Sequence, residues 1–108
     1  MPHMEVREYV TITGRSPFRE WLMGLKDSSL RNGIVARVLR LSDGSRGDWK
    51  PIGSGLFELR IHTGPGFRVY CGQDGHRLVI VLVGGDKQGQ KKDIEKAHAS
   101  WKDYQARR

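Results

Sequence analysis

The chain has 108 residues, enough for one hydrophobic core and little room for a second, so it is read as a single domain over residues 1–108. Hydrophobic residues at 37% and charged residues at 29% exclude a disordered chain, and the longest apolar run, Leu78 to Val83, is far too short to cross a bilayer. Nineteen Lys and Arg against twelve Asp and Glu leave a formal charge of +7, which favours a polyanion such as nucleic acid, beside the plainer readings of a merely soluble basic protein or one paired with an acidic protein.

Residues 1–3 read as an expression remnant ahead of a start at Met4, so His3 carries no argument, and no signal-peptide pattern opens the chain. Glu5 to Thr13 alternates Val6, Val10 and Ile12 with polar residues and predicts a first strand. Ser16-Pro17 is an N-cap followed by proline at the first helical position, and Phe18, Trp21, Leu22 and Leu25 carry the helical spacing onward. Ser28 or Ser29 is the expected cap of a second helix with the stripe Leu30, Ile34, Val38 and Leu41. Arg31, Arg37 and Arg40 lie off that stripe and are expected on a solvated face. Together these predict a helical hairpin laid on a sheet.

From Trp49 the period becomes two. Phe57, Leu59 and Ile61 alternate with Glu58, Arg60 and His62; after Gly-Pro-Gly, Phe67, Val69 and Cys71 alternate with Arg68 and Tyr70. Asp74-Gly75 marks the next turn, and Leu78 to Gly85, apolar on both faces, suits an interior strand. If that turn has two residues, Cys71 faces Leu78, and Val79 and Val81 join the arginine face. Ile94, Ala97, Trp101 and Tyr104 form one stripe on a last helix, with Gly89 setting back its start. The expected class is α+β, in the order β-α-α-β-β-β-α, with one antiparallel-type sheet, an N-terminal helical hairpin and a C-terminal helix.

Residues opposite each other in an antiparallel pair share a face. Either Arg60 or His62 therefore stands opposite Arg68, and both registers put Arg60, His62, Arg68 and Tyr70 on one side, expected to be the non-core side. Two readings stand beside each other here. Glu58, with Asp86 or a C-terminal acid, absorbs the charge as ordinary surface pairing; alternatively the guanidinium forks bind phosphate while His62 or Tyr70 moves a proton or stacks on a base. Spacing alone does not choose between them. Gly84 to Lys91 has the glycines and lysines of a phosphate loop without the Gly-x-x-x-x-Gly-Lys-Ser/Thr spacing, yet it brings Lys87 and Lys91 near a helix N-terminus. The four histidines lack metal-ligand spacing and the lone Cys71 alternates inward, so no metal is expected and the thiol is read as packing.

The blocks Phe-Glu-Leu-Arg-Ile, Gly-Pro-Gly-Phe-Arg-Val-Tyr and Gly-Gly-Asp-Lys-Gln-Gly-Gln-Lys-Lys-Asp-Ile, in that order, resemble the HigB-like addiction-module killer proteins of the RelE/ParE toxin superfamily. The likeness runs from the first strand to the terminal Trp-Lys-Asp-Tyr. It implies a toxin of a bacterial type II toxin–antitoxin system, cytoplasmic, needing no cofactor, and held inactive by a cognate antitoxin, a HigA-like helix-turn-helix protein. It further implies a metal-independent endoribonuclease that cuts mRNA in the ribosomal A site by 2′-OH attack on the phosphate. ParE-like members instead inhibit DNA gyrase without catalysis, and fold alone does not decide between the two. Carried over, Arg68 matches the strand arginine of the aromatic-Arg-Val motif, Arg60 the basic position of the preceding strand, and Lys87 the basic residue after the last core strand. Arg60, Arg68 and Lys87 would clamp phosphate and stabilise transition-state charge, Tyr70 and Lys91 would assist RNA binding, and His62, ahead of Tyr70, is the candidate for proton transfer. RelE-type enzymes use a tyrosine near the C-terminus, whereas Tyr104 here falls on the apolar stripe of the helix.

Overall fold

The computed structural model describes residues 3–108. Its elements are β1 (Glu5–Glu8), α1 (Pro17–Met23), α2 (Ser28–Leu39), a 3-10 turn (Arg40–Asp43), β2 (Trp49–Gly53), β3 (Leu56–Ile61), β4 (Phe67–Asp74), β5 (Leu78–Asp86) and α3 (Gln90–Arg107). The α+β class, the paired N-terminal helices and the C-terminal helix are as the sequence predicts. The sheet differs in two details. It has five strands in the order β1-β5-β4-β3-β2, and β1 runs parallel to β5 while the remaining pairs are antiparallel. The added strand, β2, contains Pro51 and lies at the sheet edge, where a missing backbone donor is tolerated.

Strand β1 stops at Glu8 rather than reaching Thr13. Thr11 and Arg15 close a turn on each other through backbone and side-chain bonds, Gly14 takes φ 86°, and Ile12 is left 84% exposed. β-branched alternation without a partner strand does not make a strand. The helix starts follow local chemistry. Ser16 Oγ accepts from the Arg19 N–H at 3.2 Å ahead of Pro17. Asp27, one residue before the expected serines, caps α2 by accepting from the Ser29 and Leu30 amides.

Both faces of the sheet are covered. Phe18, Leu22 and Ile34 from α1 and α2, with Leu41, pack on Phe57, Leu59, Ile61, Phe67, Val69, Cys71, Val79 and Val81. On the other side Trp101 and Ala97 of α3 pack on Leu56, Tyr70, Ile80, Leu82 and Val83. The valines therefore do not join the arginine face. The β4–β5 turn holds three residues, Gly75 to Arg77, so Asp74 faces Leu78, and Cys71 faces Val81 rather than Leu78. A bulge then leaves Leu82 unpaired, between Tyr70 opposite Val83 and Cys71 opposite Val81. Two glycines admit the covering aromatics. A Cβ at Gly72 would collide with the Trp101 ring, and one at Gly84 with the Trp21 ring.

Candidate functional site

Strands β3 and β4 settle the register left open by the sequence: Arg60 stands directly opposite Arg68, and Glu58 opposite Tyr70. Four residues of one face thus form a square of two like charges, one carboxylate and one phenol. Like charges facing each other across strands repel unless something neutralises them. Glu58 does so from full burial, with an exposure of 0%. Its Oε1 lies 3.4 Å from Arg60 Nε and Nη2, its Oε2 lies 3.9 Å from Arg68 Nε, and Gln90, the first residue of α3, donates from Nε2 to Oε2 at 3.1 Å. Asp86 takes no part. Its Oδ1 accepts from the Gln88 and Gly89 amides and so closes the turn leading into α3.

The face is therefore not a bare surface. Tyr70 is fully buried beneath α3, its hydroxyl has no hydrogen-bond partner among the described residues, and burial together with the nearby Glu58 and Asp93 carboxylates pushes its phenol far up from the usual value. Stacking on an RNA base from this position is excluded, which corrects the expectation from strand parity. Arg68 keeps 11% of its side chain exposed, with its Nε buried and without a hydrogen-bond partner among the described residues, and Arg60 keeps 32%.

Beyond the end of β3 and β4 lies a cleft of about 230 Å³ lined by His62, Gly64, Pro65, Gly66, Arg68 and Lys87. The turn between the strands forms its floor, and a Cβ on Gly66 would just touch the Lys87 chain. His62 is exposed and its Nε2 sits 2.5 Å from Asp48 Oδ2. This hydrogen bond from His62 holds the Asp48 carboxyl below the usual range, so the carboxylate is ionised and acceptor-only. Nε2 then carries the hydrogen of this bond, which fixes the orientation of the ring. Asp48 precedes the unforeseen strand β2, and no sequence signal pairs it with His62.

Of the predicted residues, the structure brings His62, Arg68 and Lys87 to one cleft, with Arg60 behind Arg68 as its cross-strand partner. Lys91 is exposed on the first turn of α3 and does not line the cleft. Tyr104 packs stacked on Trp101 and donates to Asp74 at 2.6 Å, at the far end of β4 from Arg68, roughly 20 Å away by strand rise. Arg37, expected on a solvated face, turns inward and donates to the carbonyls of Arg60 at 2.6 Å and Arg46 at 2.9 Å, anchoring the edge beside the site. Cys71 is fully buried and burial raises its thiol far above the usual value, in keeping with packing. Among the described residues no group of three His, Cys, Asp or Glu side chains is placed to hold a metal ion. Among the described residues no helix is long and apolar enough to cross a membrane.

The family model described as Phage derived protein Gp49-like (DUF891) matches residues 20–102. The chain belongs to the Gp49-like family. The matched span contains Glu58, Arg60, His62, Arg68 and Lys87, and it ends before Tyr104. An uncharacterized protein of Haemophilus influenzae is 48% identical to this Gp49-like chain over 80 residues, 74% of this chain and 81% of the relative.

Proposed function

We propose that this Gp49-like protein is the toxin of a type II toxin–antitoxin system and acts as a metal-independent, ribosome-dependent mRNA endonuclease. The observation that carries the reading is the convergence of His62, Arg68 and Lys87 on one open cleft, with the Asp48 carboxylate orienting the imidazole. A chain of net charge +7 and the sequence likeness to HigB-like killer proteins support it.

In this mechanism the ribose 2′-oxygen attacks the adjacent phosphorus and gives its proton to His62 Nδ1. Charge building on the phosphorane oxygens is met by the outer nitrogens of Arg68 and by Lys87. The bond from phosphorus to the 5′-oxygen breaks, and that oxygen takes a proton from the Lys87 ammonium, since a guanidinium does not release one. The products are a 2′,3′-cyclic phosphate and a 5′-hydroxyl. A neutralising antitoxin and the ribosomal A site are the partners this reading requires, and a bacterial cytoplasm the place.

One observation favours a gyrase-binding toxin instead: Glu58 already neutralises part of the Arg60 and Arg68 charge. Induced expression followed by primer extension separates the two readings. Cuts inside translated codons, absent with Arg68→Lys, are expected; intact message together with lost gyrase supercoiling would sink the nuclease reading.

A further inference from the structure

Among the described residues Glu58 is the sole charged one with a fully buried side chain, and a carboxylate out of water is retained only where its partners repay the desolvation. Its partners come from three elements: Arg60 in β3, Arg68 in β4 and Gln90 at the start of α3. The pattern of contact is one-sided. Glu58 hydrogen-bonds Arg60 at Nε and Nη2 and faces Arg68 Nε at 3.9 Å as an ion pair; that Nε is buried and, like Arg60 Nη1 and both Arg68 Nη groups, makes no hydrogen bond among the described residues. The inner edge of each guanidinium thus faces the buried carboxylate, hydrogen-bonded in Arg60 and ion-paired in Arg68, and the outer edge is left as donor.

We propose that Glu58 is a positioning residue: held by Gln90, its carboxylate fixes the inner edges of Arg60 and Arg68 so that their outer N–H groups are presented in a set geometry to an RNA phosphate. This rests on the endonuclease reading for its ligand, but the positioning itself is independent of that reading. Two unconstrained arginines directly opposite each other on a sheet would splay apart, each sampling many rotamers. A phosphate would then have to order both at binding. With Glu58 behind them that ordering is complete before RNA arrives, which is the condition for a site built to stabilise transition-state charge.

The test uses the full chain. In ¹H–¹⁵N spectra of the arginine Nε–H groups, Arg60 and Arg68 are expected to give dispersed, slowly exchanging signals, unlike exposed arginines. In Glu58→Gln those two signals collapse to the averaged position while the fold persists. The Glu58→Gln turnover on ribosome-bound message falls by about 100-fold with KM within about twofold, as misplacement of a charge-stabilising group predicts. Should Glu58→Gln fail to fold, Gln90→Ala is measured the same way, with broadened Arg60 and Arg68 signals expected. Ordered signals lost in Glu58→Gln, in a protein that cuts no RNA in either form, would keep the positioning role and remove the nuclease reading. Signals unmoved by either substitution, or full turnover in folded Glu58→Gln, would overturn the proposal.

Discussion

Arg68 serves two purposes whose effects can be separated. Its Nε helps neutralise a buried carboxylate, and its side chain lines the cleft. Arg68→Ala removes both and leaves Glu58 with one partner fewer, an expected loss of about 1–3 kcal/mol in urea unfolding because a buried charged group is left less satisfied. Arg68→Lys keeps the charge and loses the planar fork, so its unfolding midpoint stays nearer the wild type while message cleavage falls by at least about 100-fold. Equal cleavage by Arg68→Lys and wild type would show that a point charge suffices. His62→Ala touches no core group and is expected to slow cleavage by about 100-fold or more without shifting the unfolding midpoint. At this scale the sequence was informative about position and silent about surroundings. Alternation placed Arg60 and Arg68 on one face, but it carried no sign that Tyr70 beside them is sealed under α3. Nor did it show that Asp48, across an unread strand, pairs with His62.

Among the elements, α1 is the most dependent on local chemistry, with only seven residues to carry Phe18 and Leu22 into the core. Ser16 caps it and also donates to Glu8 at 2.7 Å, tying the helix start to β1. Ser16→Ala should cost about 1 kcal/mol, read as a lower urea midpoint with unchanged slope. Glycines test the packing from opposite directions. Gly33 lies inside α2 with nothing within 4 Å of a built Cβ, so Gly33→Ala should stabilise by about 0.5–1 kcal/mol. Gly84→Ala drives a methyl into the Trp21 ring and should cost about 1–3 kcal/mol. Helix starts were legible because capping is local, whereas the parallel β1–β5 pairing and the Leu82 bulge were not, since both are set by distant partners. Gly72 and Gly84 were the available signal that both sheet faces are covered: a strand glycine marks the close approach of something, here Trp101 and Trp21.

Across the whole molecule, α3 is latched at both ends, and the two latches differ in chemistry. Its start meets the arginine face through Gln90 and Glu58. Its end is held by tyrosine–carboxylate pairs, Tyr104 to Asp74 at 2.6 Å and Tyr9 to Asp103 at 2.6 Å, joined by Arg107 on Asp103 and Arg108 on Asp74. Hydrogen bonds from Tyr104 and Arg108 hold the Asp74 carboxyl below its usual range, and those from Arg107 and Tyr9 do the same for Asp103. A carboxyl whose folded pKa is lower than its unfolded one stabilises fully above the unfolded value, near 4, and loses that contribution as pH falls through the folded one. Burial first, then the bonds to these same carboxylates, raises the Tyr9 and Tyr104 phenols, so their contribution is complete below about pH 10 and disappears as pH rises through their folded values. Stability should therefore hold a plateau through neutral pH and fall on both sides, with the end of α3 released first in acid. The double variant Asp74→Asn with Asp103→Asn should have a lower Tm than wild type at pH 7 and a shallower decline between about pH 4 and pH 2, because the groups that titrate there are gone. Thermal unfolding followed by circular dichroism across that range reads both effects. A decline as steep as that of the wild type would place the acid lability elsewhere, with Glu8 the next group to substitute: burial raises its carboxyl, but the hydrogen bonds from Arg19 and Ser16 together with the Arg19 charge bring it below the usual value.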